Sequence, residues 1–305
     1  MKNKTTLITG GTGFIGENLA KYLSNNGWEV NLLCRDLQKI AELSGLIGVK
    51  KIHKYDGSYD SITKALVDIK PTIVFHLAAY FSAEHQPEDL DNLYSGNLLF
   101  GSQLLEAMSN SNIKSLVNTG TSWEHYKDSD YNPVNLYAAT KQAFEKIIDY
   151  YVQVKGFKVY TLKLFDTYGY GDRRGKLVDY VISSIQNHKP LIFSPGDQML
   201  DFVHVKDVVR AYERAALLLT NETPSTHRQF GISSQKLVSL KEMVELIQKL
   251  MSDTSTIGWG ERDYRAREVM KPWTGFKKLD GWESTVPLEV GLLELIELKR
   301  IQNAD

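Results

Sequence analysis

The chain has little that would staple or anchor it. A single cysteine in 305 residues, Cys34, excludes an intramolecular disulfide and any cysteine-built zinc cluster, and it fits a reducing compartment. Neither sign of charge dominates. The 36 Lys and Arg against 37 Asp and Glu leave a net charge of -1, so no electrostatic feature calls for nucleic acid or an anionic membrane. No apolar run reaches the length of a membrane span, and Ala215-Ala216-Leu217-Leu218-Leu219 reads as the end of an amphipathic helix. The N-terminal lysines precede an apolar stretch that runs straight into glycines, without the longer apolar region and cleavage site of a signal peptide. Internal repeats and low-complexity tracts are also missing. These absences predict a cytoplasmic protein with no metal, nucleic-acid or membrane partner.

What is present begins with Thr6-Leu7-Ile8-Thr9, a short apolar run that stops at Gly10-Gly11-Thr12-Gly13-Phe14-Ile15-Gly16. A helical pattern follows, with Leu19, Ala20 and Leu23 on one side. Glycines at this spacing let the backbone turn off a strand, approach a pyrophosphate, and pack the next helix against the sheet. The helix N-terminus, with Thr12, Phe14 and Ile15 around it, then offers free N–H groups to phosphates. The unit predicts a dinucleotide cofactor. The next strand, Glu29 to Cys34, ends in Arg35-Asp36. A basic residue here accommodates the 2′-phosphate of NADP, and an acidic one bonds the ribose of NAD. Arg35 favours NADP(H); Asp36, one step later, keeps NAD(H) as the alternative.

Strands then alternate with helices. Lys51 to Asp56 reads as a strand that brings Asp56 and Gly57 to the adenine edge. Asp60 to Val67 reads as a helix, and Pro71 to Ala79 as a buried strand whose end, Leu77-Ala78-Ala79, is small enough for a backbone to pass close to the cofactor. His76 reads as a packed structural histidine. Pro87 opens a helix running to about Asn110, and Leu116 to Thr119 forms the next strand, with Gly120-Thr121-Ser122 at its end. The alternation predicts an α/β, doubly wound parallel sheet, with ligands outside the carboxyl ends of the strands. Arg35, Ala78 and Thr121 fall on that edge.

Asn135-Leu136-Tyr137-Ala138-Ala139-Thr140-Lys141 opens another helix and sets Tyr137 and Lys141 four residues apart on one face. A tyrosine titrates near pH ~10, and a fixed ammonium nearby stabilises its phenolate and moves it toward working pH. Such a phenol can give a proton to a carbonyl oxygen, or take one from an alcohol, while hydride moves at nicotinamide. Thr121 or Ser122 can supply a second hydrogen bond to the same oxygen.

The glycine loop, His76-Leu77-Ala78-Ala79 and Tyr137-x-x-x-Lys141 together resemble the extended short-chain dehydrogenase/reductase family (NAD-dependent epimerase/dehydratase type) over nearly the whole chain. The resemblance implies a Rossmann-type domain over residues 1–165 and a smaller C-terminal α/β lobe over 166–305, some of whose segments return to the first domain. It places Asn97 as a helix asparagine supporting the active site. It makes Phe165 to Gly171 the start of the substrate lobe, and Gln198 to Asp207 a segment near the nucleotide of the substrate. It further implies a nucleoside-diphosphate-sugar substrate, and a homodimer through two long helices.

Departures narrow the reaction. Sugar 4,6-dehydratases carry an acidic pair after the catalytic threonine, whereas Ser122-Trp123 follows Thr121 here. Epimerases acting beside a carbonyl need a further carbon acid/base, often Cys or His, and the one Cys ends the second strand. Two reactions need only Thr121, Tyr137, Lys141 and nicotinamide: reduction of a 4-keto sugar by NADPH, and 4-epimerisation with tightly held NAD. Arg35 tilts toward the reductase. Asn118 to Trp123, Asn132 to Tyr137 and Tyr264 to Met270 resemble the CDP-sugar reductases that make 3,6-dideoxyhexoses, the paratose and abequose synthases. Asp166 stands where the family has Asn, and Leu200 where sugar-nucleotide enzymes often have Arg. Ser122, Trp123 and Asp166 are candidate substrate contacts, and Arg173, Arg174, Lys176 and Arg265 candidate diphosphate partners. A non-catalytic nucleotide sensor would keep the loop but have no use for Tyr137 with Lys141.

Overall fold

The computed structural model of the protein describes residues 4–38 and 48–302. Its frame is a seven-stranded parallel sheet made of β1 (Thr5–Thr9), β2 (Glu29–Cys34), β3 (Val49–Lys54), β4 (Ile73–His76), β5 (Ser115–Thr121), β6 (Lys158–Leu164) and, returning from late in the chain, β10 (Thr226–Ile232). The spatial order is β10-β6-β5-β4-β1-β2-β3, so the winding reverses between β1 and β4. The α/β, doubly wound expectation holds. The central strands are buried along their whole length, the signature of a sheet covered on both faces, whereas β3 at one edge is mostly exposed.

Helices α1 (Phe14–Asn25) and α7 (Val205–Leu219) cover one face, with Leu19, Leu23, Val208 and Tyr212 packed on Ile8, Phe75 and Leu162. The other face carries α2 (Tyr59–Ile69), α4 (Phe100–Asn110) and α5 (Leu136–Lys155), whose Leu66, Leu104, Phe144 and Ile148 meet Leu7, Val74 and Leu116. Burying each such side chain contributes about 1.5–3 kcal/mol. A smaller unit holds β7 (Asp166–Tyr168), β9 (Met199–His204) and β11 (Leu237–Ser239) in one sheet and β8 (Leu191–Phe193) with β12 (Ile257–Trp259) in another. Helices α6 (Leu177–Gln186), α8 (Leu240–Met251) and α9 (Leu288–Gln302) close its own core around Val181, Met243 and Leu292.

One expectation needs correction. The segment after Pro87 is not one continuous helix. A short turn, Pro87–Asp89, leads into α3 (Leu90–Tyr94), then one π-helical turn, Ser95–Leu99, precedes α4. The wide turn turns Asn97 inward, where its amide accepts Tyr80 N–H (2.7 Å) and donates to Tyr80 O (3.0 Å) and Thr140 Oγ1 (2.9 Å).

The returning segment is tied down by Asp207 at the start of α7. Its buried carboxylate accepts from Val286 N (2.9 Å), Thr285 N (2.9 Å), Ser284 Oγ (2.9 Å) and Arg210 Nη2 (2.5 Å). Burial alone would push its pKa up, but these bonds outweigh it and hold the carboxyl below its ordinary value. That stability is present above the unfolded carboxylate pKa and lost as pH falls through the depressed folded one. Asp207→Ala is expected to cost about 3 kcal/mol in urea denaturation near neutral pH, the gap to the parent closing in acid.

Candidate active site

The glycine loop lies where the sheet reverses. Gly10 follows β1 with φ +73°, and a Cβ there would stand 2.6 Å from the backbone N of Ala78, so only a bare backbone lets the loop pass the end of β4. A Cβ on Gly16 would collide with the Gly10 carbonyl, which itself accepts the Gly13 N–H at 3.0 Å. Gly13 precedes α1 without a capping side chain and is exposed, while Phe14 is buried and Thr12 and Ile15 are half-buried. The cradle of Gly10, Gly13, Leu77, Ala78 and Ala79 therefore fits the diphosphate of a dinucleotide.

Arg35 and Asp36 part company just beyond β2. Asp36 turns back to accept the Gln38 N–H at 2.9 Å, while Arg35 is exposed, with no hydrogen bond or ion pair among the described residues. The Asp56 carboxylate, two residues past β3, accepts Ser58 N–H (2.9 Å) and Ser58 Oγ (2.6 Å), bonds that hold its pKa down at about 2. Gly57 follows it, exposed with φ +98°.

Asn135 caps α5 by accepting the Ala138 N–H at 2.9 Å, and its amide donates to Ala83 O at 3.0 Å, pinning the helix start against the segment after β4. The first turn carries Tyr137, and Lys141 follows one turn later, 2% exposed. Lys141 makes no hydrogen bond or ion pair among the described residues. Burial draws its pKa down, and the charges of Glu124 and Glu145 push it back up. The expected lowering of the phenol is not found. Burial pushes the Tyr137 pKa well above its ordinary value, the Glu124 charge adds to the rise, and only Arg174 opposes it. Desolvation of a phenolate is the largest contribution, on a side chain that is half-buried at the cleft edge of α5.

Thr121 ends β5. Its N–H donates to Glu124 Oε1 at 2.8 Å and its Oγ1 accepts Trp123 N–H at 3.3 Å, which leaves the hydroxyl proton free to donate. His76 is a packed residue, as expected: it is 1% exposed, its Nδ1 lies 2.8 Å from Thr9 Oγ1, and burial drives its pKa down to about 3.

Beside these residues opens a cleft of about 1000 Å³ between the two units. Ser122, Trp123, Asp166, Arg174, Lys176 and Arg265 line it; Thr121, Tyr137 and Lys141 are not among its lining residues. Phe81 joins the two groups, 4.9 Å from the Tyr137 ring and 6.1 Å from that of Trp123. Lys176 Nζ sits 4.2 Å over Phe81, and Arg174 spans from Asp172 (2.6 Å) to the ring face of Phe14 (4.9 Å) in the glycine loop. Burial raises the Asp166 pKa to about 6 against the opposing charge of Lys176. Arg173 stands apart from its neighbours. It is outside the wall, exposed, and 3.9 Å from Glu17 on α1.

Sequence reading missed the charges under this floor. Glu124 and Lys163 are fully buried and meet at 2.8 Å, Lys163 reaches Glu145 at 3.2 Å, and His125 Nε2 lies 2.8 Å from Lys163 Nζ. His125 Nδ1 faces the Ser129 carbonyl at 3.1 Å, so Nδ1 carries the proton and Nε2 accepts from the lysine. The ring stacks on Trp273 at 3.8 Å, in the cleft wall. A second lysine, Lys163, near the buried end of β6 within Val159-Tyr160-Thr161-Leu162-Lys163-Leu164 was the available signal.

Residues 6–227 match the model of the NAD dependent epimerase/dehydratase family, and the chain belongs to that family. Within it, the chain is 30% identical over 268 residues to the CDP-abequose synthase of Yersinia pseudotuberculosis, covering 87% of this chain and 90% of that one. It is 26% identical to the CDP-abequose synthase of Salmonella muenchen over 97% and 98% of the two chains. The fold matches UDP-glucose 4-epimerase of Thermotoga maritima solved with UDP-glucose, with a TM-score of 0.84 at 21% identity over 98% and 99% of the two chains. Among the described residues no helix is long and apolar enough to cross a membrane, and no group of three His, Cys, Asp or Glu could hold a metal ion.

Proposed function

We propose that the protein reduces the 4-keto group of a nucleoside-diphosphate 6-deoxy sugar, of the CDP-4-keto-3,6-dideoxyhexose type, using NADPH. The observation that carries this reading is the placement of the Tyr137 phenol against Phe81 at the aromatic mouth of the cleft, one helix turn before Lys141. In reduction the phenol gives its proton to the carbonyl oxygen as hydride reaches C4, and the exposed Arg35 at the end of β2 supports NADPH, a consumed reductant, over NAD held for 4-epimerisation. When bound, the nicotinamide supplies the hydride for C4.

The remaining parts belong to the chain. Gly10, Gly13, Gly16 and Leu77 to Ala79 cradle the diphosphate of the cofactor, Arg35 pairs with its 2′-phosphate, and Asp56 and Gly57 border the adenine. Asn97 holds the floor beneath Thr140 and Tyr80. Thr121 donates to the substrate oxygen, Tyr137 gives its proton there, and the Lys141 ammonium offsets the phenolate left behind. Phe81 presents an all-carbon ring beside Tyr137, which suits the deoxy edge of a sugar. Arg174, Lys176 and Arg265 meet the substrate diphosphate. The likeness to CDP-abequose synthases supports cytidine as the base. Exposed Leu99, Tyr150 and Val154 support a homodimer.

The test is NADPH oxidation against a panel of 4-keto sugar nucleotides. Turnover with a 4-keto-6-deoxy sugar supports the proposal; tightly held NAD with interconversion of 4-hydroxy epimers overturns it. Arg35→Ala is expected to raise the Kd for NADPH about tenfold or more and leave that for NADH in place. Equal changes in fluorescence titrations would remove the argument for NADPH.

A further inference from the structure

We propose that Glu124 is a positioning residue for this reaction: one oxygen fixes the backbone of Thr121, and the other holds Lys163 against Glu145 and His125, beside the helix that carries Tyr137 and Lys141. The inference rests on Tyr137 and Lys141 being the proton-transfer pair, which reduction and 4-epimerisation both need.

The geometry sets Glu124 at the meeting of three elements. It follows β5 by three residues, binds Thr121 N–H at 2.8 Å, and pairs with Lys163 of β6 at 2.8 Å. Lys163 also reaches Glu145 of α5, one turn beyond Lys141, at 3.2 Å. Gln229 of β10 donates to Glu145 Oε2 at 3.0 Å, while no donor reaches Glu145 Oε1 among the described residues. A buried cation between two carboxylates is held only if its partners are held, so the ends of β5 and β6 and the first turns of α5 are locked together. The same lysine sets His125, and through stacking Trp273, in the cleft wall.

The electrostatics point the same way. Burial and the Glu124 charge raise the Glu145 pKa, and the Lys163 ammonium at 3.2 Å opposes the rise. The charges facing Lys141 are Glu124 and Glu145, with neutral His76 from β4 on its other side. Tyr137 feels Glu124 and Arg174, and His125 feels Lys163, Glu124 and Asp130. Removing the Glu124 charge therefore lowers the pKa of both Lys141 and Tyr137, and both changes bring the alkaline loss of activity to lower pH.

The experiment compares the full-length parent, Glu124→Gln and Glu124→Asp, first checked by thermal unfolding, for kcat, KM and the pH profile of kcat. Turnover is read as NADPH oxidation or as 4-epimerisation, whichever the parent supports. A parent active only as an epimerase overturns the reductase reading and leaves this comparison intact; a parent inactive in both overturns both. E124Q is expected to lose about tenfold or more in kcat, to keep KM within about twofold, and to move its alkaline limb to lower pH. E124D keeps the charge but withdraws the oxygens by one methylene, so its kcat falls while its alkaline limb stays with the parent. A folded E124Q with the parent's pH profile overturns the proposal, as does loss of activity only in step with loss of folded protein. If E124Q does not fold, E124D decides: a lower kcat with the parent's limb supports the proposal, and the parent's kcat overturns it.

Discussion

Tyr137→Phe is expected to lower kcat for the 4-keto substrate by about 10²–10⁴-fold, the range that general-acid catalysis contributes, with the Kd for NADPH unchanged. The substitution deletes one oxygen and keeps the ring, so the edge-on contact with Phe81 at 4.9 Å survives and the aromatic mouth of the cleft is preserved. In the proposed reaction the side chain contributes the acid, and its neighbours among the described residues do not replace it. His76 is buried and held neutral, Lys141 is 2% exposed behind the helix turn, and Thr121 has only a hydroxyl to offer. Because burial holds the phenol above its usual pKa, the parent keeps its proton from neutral pH into the alkaline range. A variant with full activity in stopped-flow NADPH oxidation would refute the proton-donor role.

Gly13→Val is expected to raise the Kd for NADPH by at least about a hundredfold while the protein still folds. The two outcomes separate because the glycines of the loop are needed for different reasons. A Cβ on Gly13 comes within 3.3 Å of the Gly10 carbonyl and of no other atom, a tight contact that a shift of a few tenths of an ångström relieves, so a side chain there strains the loop far less than one at Gly16. That side chain stands on the exposed surface before α1, where the diphosphate must approach the backbone. Gly16→Val is different, since any Cβ at Gly16 strikes the Gly10 carbonyl and forces α1 away from the sheet. Isothermal titration with NADPH and circular dichroism on both variants checks the contrast: lost binding with retained fold for Gly13→Val, and lost fold for Gly16→Val.

The features legible in the sequence are the local ones. Apolar strands ending at glycines, capped helices such as the one behind Asn135, and a tyrosine four residues before a lysine depend on neighbours along the chain, and the structure places them as read. Even the corrected helix after Pro87 was right in extent; its π-helical turn exists because Asn97 must reach Tyr80 and Thr140, contacts that spacing does not reveal. The phenol was misjudged for a similar reason. Sequence shows the ammonium that lowers a pKa but not the depth of burial that raises it, and burial is the larger effect here. Glu124, Lys163 and Glu145 stayed hidden because they come from three elements whose meeting is set by the sheet. Arg173 and Arg174, adjacent in sequence, show the limit most plainly: Arg174 lines the cleft and lies over Phe14, while Arg173 faces Glu17 outside it.

The central claim is that a net reduction happens at a sugar carbonyl with Tyr137 as the acid. Its most direct test is to run the reaction with NADPH deuterated at the transferable position and examine the sugar product by mass spectrometry and NMR. The expected result is one deuterium per product molecule, bonded to C4, with NADPH consumed in equal amount and the label absent when Tyr137→Phe replaces the parent. An unlabelled C4 epimer formed without NADPH consumption would contradict it.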